Sequence, residues 1–455
     1  MTKNILVHKF GGEIAGTPEY LRKSAEIIRD KSEYTNITVI SALRGITESL
    51  AEKCDYFSKG GSESEIDSYI QKLRQIHYSK INNLKEQAVI EENLERELEQ
   101  LKGYLTSIYD FESINPRMED KVLVYGEGLS SEIFRGYFSE KEVESKILTG
   151  RDIGIITNDN HGDADIDWEL TEGNIANYLE PLLEEEITPI ISGFDGKTPE
   201  GEITTLGRGG SDTTACVVGL DLKAREINLY KTTRGVTTAD PKIVGEKVKT
   251  IPFLNYYEAM EAGKIIHRKG VKHARKGEIP IIVRYISDPE IKTVINGNEN
   301  AEKGIKLITC EQGCYIIEIY DPEMAEKKGQ LGYLSDLMAN NDINLEIARD
   351  GFNNLTFVPD SNTTKESIEA VKKILETEYD SVIVIPGVSI LRAIGNLGYD
   401  SHKSYIFNEI IEKNTNPEET CLGSYPYGYT WGLDGIVPDP KSKDIVRKLH
   451  KKLIE

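Results

Sequence analysis

Through the first 300 positions of the chain, short runs of β-branched and aromatic residues alternate with stretches in which apolar positions recur every three or four residues. That alternation is the sequence form of a mostly parallel α/β sheet between helices. ILVHKF, ITVIS, VLVY, SKILTG, TPIIS, EINLYK and PIIVRYI are the predicted strands. Between the first two, Thr17 and Pro18 read as an N-cap with proline at the first helical position, and Leu21, Ala25 and Ile28 recur on one face, giving one βαβ unit. Over residues 63–112 the texture changes to a helical stripe that includes Ile66, Ile70, Leu98 and Leu105 amid Glu, Lys and Gln, which predicts an inserted helical hairpin. Its run EENLERELEQLK is a solvated helix face.

Asn, Gly and mixed charge over residues 297–304 mark a domain boundary. Beyond it, CYIIEIYD predicts a strand, Met324 and Gly329 lie in a loop before a helix through Leu334 and Leu337, and LEIARDGFNNLTFVP reads as a hairpin. A helix over Lys365–Glu376, the strand SVIVIPG, another helix and TWGLDGIVP repeat the order before a terminal helix over Lys441–Leu453. The expected organisation is an α/β domain over 1–300, with its helical insertion at 63–112, then two small βαββ domains at 305–380 and 381–455.

Composition narrows the function classes. The chain has 455 residues, 38% of them hydrophobic, and no apolar run approaches the ~18 residues a membrane span needs. Lys+Arg 55 against Asp+Glu 76 leaves a net charge of −21, which opposes a nucleic-acid backbone, and no basic block exceeds the C-terminal HKKL. The N-terminal MTKNILVHKF carries no export signal, so a cytoplasmic location is expected. Of five cysteines only Cys310 and Cys314 are close in sequence; without a second pair or a nearby histidine they read as reduced thiols, not as zinc ligands.

Glycine-rich segments carry the candidate chemistry. Lys9-Phe10-Gly11-Gly12 leaves the first strand for a helix, so its backbone N–H groups and the Lys9 ammonium suit an anion. Gly207-Arg208-Gly209-Gly210-Ser211-Asp212-Thr213-Thr214-Ala215 combines three glycines, a fork donor, an acid and hydroxyls ahead of the helical run ACVVGL. Ser211 or Asp212 is expected to cap that helix, and Arg208 to bind a carboxylate bidentately. Ser41 to Thr47 follows ITVIS, and Gly126 to Ser131 follows VLVY, so both are expected at carboxyl ends of strands, where open α/β sheets bind ligands. Thr238-Ala239-Asp240-Pro241-Lys242 follows EINLYK, and Lys264 lies in the helical pattern EAMEAGKII.

KFGG, SALRGIT, GEGLSS, GRGGSDTTA, TTADPK and GKIIH occur in the order seen in aspartokinases, and the sequence closely resembles that family. Met324 five residues before Gly329, followed by Ile343-Asn344, is similar to the paired ACT domains by which aspartokinases sense amino acids. The resemblance implies the amino-acid-kinase fold, ATP-dependent phosphorylation of the L-aspartate side-chain carboxylate to 4-phospho-L-aspartate, the first step toward lysine, threonine and methionine, and Mg²⁺ carried by ATP with no direct protein ligand. It implies catalytic roles for Lys9 and Asp212. Nucleotide and phosphate contacts would come from Lys9, Phe10, Gly11, Gly12, Ser211, Lys231, Thr232, Thr237, Lys242, Lys264 and Ile265. Ser41, Thr47, Glu127 and Arg208 match substrate positions, and Met324, Gly329, Asn344 and Glu346 match an effector site for lysine or threonine. A homodimer or dimer of dimers is expected, with no nucleic-acid or membrane partner.

Several positions depart from the family's pattern. Glu13-Ile14 stands where Thr-Ser is usual, Lys231-Thr232 where Thr-Asp is common, Thr237 where Tyr is common, Arg268 where Pro follows His267, and Arg44 where the substrate loop has a small residue. Arg44 is expected to add a contact to a second carboxylate or to a longer substrate side chain. A kinase acting on another carboxylate, or an amino-acid sensor on a kinase scaffold, is the competing expectation.

Overall fold

The computed structural model describes residues 4–263, 266–298, 304–396, 401–415 and 431–455, which gather into two compact units. One comprises Met1–Val236 and Thr250–Ala301, the other Thr237–Lys249 and Glu302–Glu455. The boundary expected over 297–304 falls largely outside the described residues.

In the first unit, β1 (Ile5–Phe10), β2 (Thr35–Ile40), β3 (Ser145–Thr149) and β4 (Thr188–Ser192) precede a small hairpin of β5 (Asp195–Lys197) and β6 (Ile203–Thr205). Then come β7 (Glu226–Lys231), β8 (Phe253–Asn255), β9 (Ile281–Tyr285) and β10 (Asp288–Asn296). Among the described residues the main sheet has the order β3-β4-β2-β1-β7-β9-β10-β8, and every neighbouring pair is parallel except β9 with β10. β1 sits between β2 and β7 and is buried at every position, which is why ILVHKF reads as a nearly continuous apolar run. Its carboxyl end lies level with those of its neighbours, Phe10 pairing with Ile40 and with Tyr230. Three loops therefore leave the sheet at one edge.

The inserted hairpin consists of helices Glu63–Ile81 and Gln87–Phe111, the second burying Leu94, Leu98, Leu101 and Leu105 on one face. Two local expectations are corrected. VLVY is helical: helix Pro116–Leu123 runs almost directly into helix Tyr125–Glu140. Asn115 caps the first by accepting from Met118 N–H at 2.9 Å with Pro116 at its start, and Val122, Leu129, Ile133 and Phe134 are buried along the pair. The cap and this longer apolar repeat override the β propensity of two valines. In the other case, neither Ser211 nor Asp212 caps helix Gly210–Asp221; the cap is Gly209, with φ of +72°, and Ser211 and Asp212 occupy the first turn. A Cβ at Gly209 would lie 2.3 Å from His267 Cβ, so backbone sign and space both demand glycine there.

The second unit is built on an antiparallel sheet of β11 (Gly304–Tyr320), β12 (Leu345–Asp350), β13 (Asn354–Pro359), β14 (Ser381–Asn396) and β15 (Gly432–Pro438), in the order β12-β13-β11-β14-β15. β11 and β14 are longer than CYIIEIYD and SVIVIPG suggest, and pair along most of their lengths with irregular register around Glu311–Tyr315. One half packs helices Gln330–Ala339 and Lys365–Glu378 around Ile317, Leu334, Phe357 and Leu375. The other packs helices Ser401–Asn414 and Asp439–Leu453 around Ile308, Leu391, Phe407 and Leu449. Residues 237–249 belong to this unit: Thr238 Oγ1 lies 2.9 Å from His450 Nε2, Ile308 N–H donates to Thr238 O at 2.9 Å, and Arg447 Nε donates to Ile243 O at 2.9 Å. Among the described residues, no helix is long and apolar enough to cross a membrane.

Candidate active site

The carboxyl end of β1 delivers Lys9 to the first turn of helix Gly210–Asp221, where its Nζ lies 2.7 Å from Asp212 Oδ1. From β7, Lys231 Nζ approaches the other oxygen, Asp212 Oδ2, at 3.6 Å. Lys9 and Asp212 are each only 8% exposed at the side chain. Burial by itself would raise the Asp212 carboxyl, but Lys231 and Lys9 outweigh it and hold the group at about 2. Burial pushes the Lys9 ammonium below its ordinary value, with Asp212 opposing that shift. Two lysines on one carboxylate leave a net positive charge beside Gly11, where among the described residues an added Cβ would meet only Lys9 Nζ, at 3.6 Å. An anion fits that space. Phe10 contributes backbone alone, since its buried ring stacks on Tyr230 at 4.8 Å and Phe134 at 5.7 Å.

Close glycine contacts join this cluster to a second one. A Cβ on Gly12 would lie 2.4 Å from Ala42 O, and one on Gly126 2.9 Å from Ala42 Cβ, so both segments pack against the loop after β2. Ser41 of that loop accepts a hydrogen bond from Ser211 Oγ at 3.2 Å, and Thr47 opens the helix that follows, half-buried. Glu127, in the first turn of helix Tyr125–Glu140, is 3% exposed; its Oε1 accepts from Ala42 N–H at 3.1 Å and its Oε2 has no hydrogen-bond partner among the described residues. Burial pushes this carboxyl up to about 8, against the opposing Ala42 hydrogen bond. A buried carboxyl oxygen without a protein partner suits a cation, whose arrival would favour the ionised form. Nearby, Asp195 is buried, accepts from Gly150 N–H at 2.7 Å and pairs with Arg151; burial lifts it to about 7. Sequence reasoning misses Asp195, although GFDGK after β4 shows an acid set between two glycines.

A cation cluster suited to phosphate and a carboxylate suited to ammonium thus share the edge formed by β1, β2 and β7. The sequence model of the amino acid kinase family matches residues 4–285. This chain belongs to the amino acid kinase family. It is similar to Aspartokinase 1, chloroplastic, of Arabidopsis thaliana, 28% identical over 99% of this chain and 80% of that protein. It is also similar to Lysine-sensitive aspartokinase 3 of Escherichia coli strain K12, 25% identical over 99% of each. Among solved structures it resembles E. coli aspartokinase III in complex with aspartate and ADP (R-state), with a TM-score of 0.85 and 24% identity over 99% of this chain and 100% of that one. That likeness shows the fold: a parallel-rich α/β unit followed by a unit built on an antiparallel sheet.

The remaining expected site residues of this family member are dispersed. Thr232, directly after β7, donates to Glu13 Oε2. Arg208 is exposed in the turn before helix Gly210–Asp221. Thr237 and exposed Lys242 fall in the second unit, where Thr237 Oγ1 donates to Ala239 O at 2.8 Å. Lys264 and Ile265 lie outside the described residues. Of the effector residues, Met324 and Gly329 line a cavity of about 530 Å³ together with Lys327, Leu331 and Phe352. Asn344 instead donates to Asp360 Oδ2 at 3.3 Å, and Glu346 pairs with Arg392 at 2.6 Å. No group of three or more His, Cys, Asp or Glu among the described residues is disposed to hold a metal ion.

Proposed function

We propose that this chain is an ATP-dependent aspartate kinase that forms 4-phospho-L-aspartate and ADP. The observation that carries the reading is the pairing of the Lys9–Asp212–Lys231 cluster with a buried Glu127 whose second oxygen is unpartnered. Relatives named aspartokinases match over nearly the whole of this chain, which supports it.

A side-chain carboxylate with a pKa near ~3.9 is ionised at neutral pH, so no general base is needed. One of its oxygens attacks the γ-phosphorus, the bond from that phosphorus to the β,γ-bridging oxygen breaks, and the electron pair leaves with ADP. The work left to the protein is alignment and charge compensation. Lys9 and the Gly11–Gly12 backbone receive the phosphates, and Asp212 aims both lysines. Glu127 receives the substrate ammonium, and Arg208 its carboxylate. Mg²⁺ would enter on the nucleotide, where it neutralises phosphate charge; a single protein carboxylate already held by two lysines fits that arrangement better than a resident metal site.

The same reading takes the second unit as two ACT-like domains that bind an amino acid and act through a homodimer in the cytoplasm. The E. coli relative is named lysine-sensitive, and the cavity beside Met324 and Gly329 makes lysine the first effector to try. The functional test is a hydroxylamine trap across aspartate, glutamate and related acids, since acyl phosphates give coloured iron hydroxamates. Hydroxamate from aspartate alone supports the reading; hydroxamate from another acid only, or none, rejects it.

A further inference from the structure

Glu13 lies one residue past the glycine pair, in the short helix Gly12–Ala15. Its Oε1 accepts from Arg44 Nη1 at 2.7 Å, and its Oε2 accepts from the Thr232 hydroxyl. Arg44 belongs to the loop after β2 and Thr232 follows β7, the two strands that flank β1. One carboxylate therefore ties together the loops on both sides of the Lys9 strand. The backbone fixes this register: Arg44 N–H donates to Gly12 O at 3.2 Å, and a Cβ on Gly12 would lie 2.8 Å from Arg44 N. The Glu13 backbone is thereby held beside Arg44.

The side chains of Glu13 and Arg44 are 48% and 74% exposed, so their ion pair adds little to folding stability. Its electrostatic effect on an incoming anion is another matter. A bare carboxylate beside the phosphate-binding glycines repels a triphosphate, whereas a guanidinium 2.7 Å away cancels most of its field at longer range.

We propose that Arg44 is a positioning residue for the nucleotide, acting through Glu13. The Glu13–Arg44 pair is a charge-neutral strap at the phosphate end of the site, and Arg44 does not recognise a carboxylate of the amino acid. This rests on reading Lys9–Gly12 as the place where ATP phosphates bind.

The test compares wild type, Arg44→Ala, Glu13→Gln and the double variant in steady-state kinetics, at about 0.02 M and about 0.5 M salt. Arg44→Ala should raise KM for ATP about 3–10-fold at low salt, with kcat and KM for aspartate within about twofold, and the defect should shrink at high salt. Adding Glu13→Gln to Arg44→Ala should return KM for ATP to within about twofold of wild type, because the unneutralised charge is then gone. A rise confined to KM for aspartate, a salt-insensitive defect, or a double variant no better than Arg44→Ala would each overturn the strap. Calorimetric affinities of the four proteins for Mg·ATP should follow the same order without turnover. Failure of wild type to phosphorylate aspartate would sink the functional reading alone, and the ATP affinities would still decide the role of Arg44.

Discussion

Replacing Glu127 by Gln removes the group's ability to ionise and leaves an oxygen able to accept from Ala42 N–H, so the substitution isolates electrostatics from packing. In the free protein the Glu127 carboxyl is pushed up to about 8 by burial, yet the substrate ammonium calls for its ionised form. Raising the pH from 6.5 to 8.5 takes the ionised fraction from about 3% to about 75%, so the apparent affinity for aspartate should improve roughly 20-fold across that range. At pH 7 binding should release close to one proton, read by calorimetry in buffers of different ionisation enthalpy. Glu127→Gln should lose both the slope and the proton release, and should bind aspartate about 100-fold or more weakly, as expected for a buried cation left without its partner. A pH-independent KM for aspartate in wild type, or proton uptake on binding, would refute the ammonium role. Stability moves the opposite way. Because folding raises the Glu127 pKa, the native state holds a proton the unfolded chain has lost between about pH 5 and 8, and this group's contribution to stability falls as pH rises through that window. Urea denaturation should show Glu127→Gln gaining about 3 kcal/mol on wild type between pH 5.5 and pH 8.

The other predictions concern the phosphate end and the second unit. Lys9→Ala should lower kcat about 100-fold or more with a smaller change in ATP affinity, because the charge is felt most where it develops in transfer; an unchanged kcat rejects the role. Asp212→Asn removes the group that opposes the depression of Lys9, so the alkaline limb of the pH–rate profile should move to lower pH, and an unmoved limb contradicts the pairing. Gly12→Ala forces a Cβ to 2.4 Å from Ala42 O, and should cost about 1–3 kcal/mol in thermal denaturation along with activity; a variant as stable and active as wild type would show that the two loops are not locked. L-Lysine should inhibit the 455-residue chain with a coupling of ~1–3 kcal/mol, about 5–150-fold in affinity, and the regulatory reading fails if no proteinogenic amino acid binds or changes activity.

Local chemistry is legible where one segment carries its own reason. GRGGSDTTA reads as a functional loop by itself and KFGG reads as an anion-binding turn only beside it, and the structure brings Lys9 and Asp212 of those segments within 2.7 Å. The parallel strands are readable because strands covered on both faces leave unbroken apolar runs. What escapes depends on contacts distant in sequence. Nothing near Glu127 announces that Ala42 N–H will hold one oxygen and leave the other empty, and nothing near Glu13 announces both Arg44 and Thr232. VLVY misleads because a four-residue window cannot reveal a cap seven residues upstream at Asn115. β11 and β14 outrun their predicted limits because each crosses from one apolar cluster into the next, a boundary set by the helices packed above them.

In the proposed reaction the side-chain carboxylate of aspartate is the group that attacks the γ-phosphorus. Aspartate labelled with ¹⁸O only in that carboxylate, incubated with ATP, Mg²⁺ and the purified protein, and followed by ³¹P NMR, tests it directly. An acyl-phosphate resonance shifted upfield by one ¹⁸O bonded to phosphorus should grow as ADP grows. ADP formation with an unshifted phosphorus product, or no acyl phosphate at all, would contradict it.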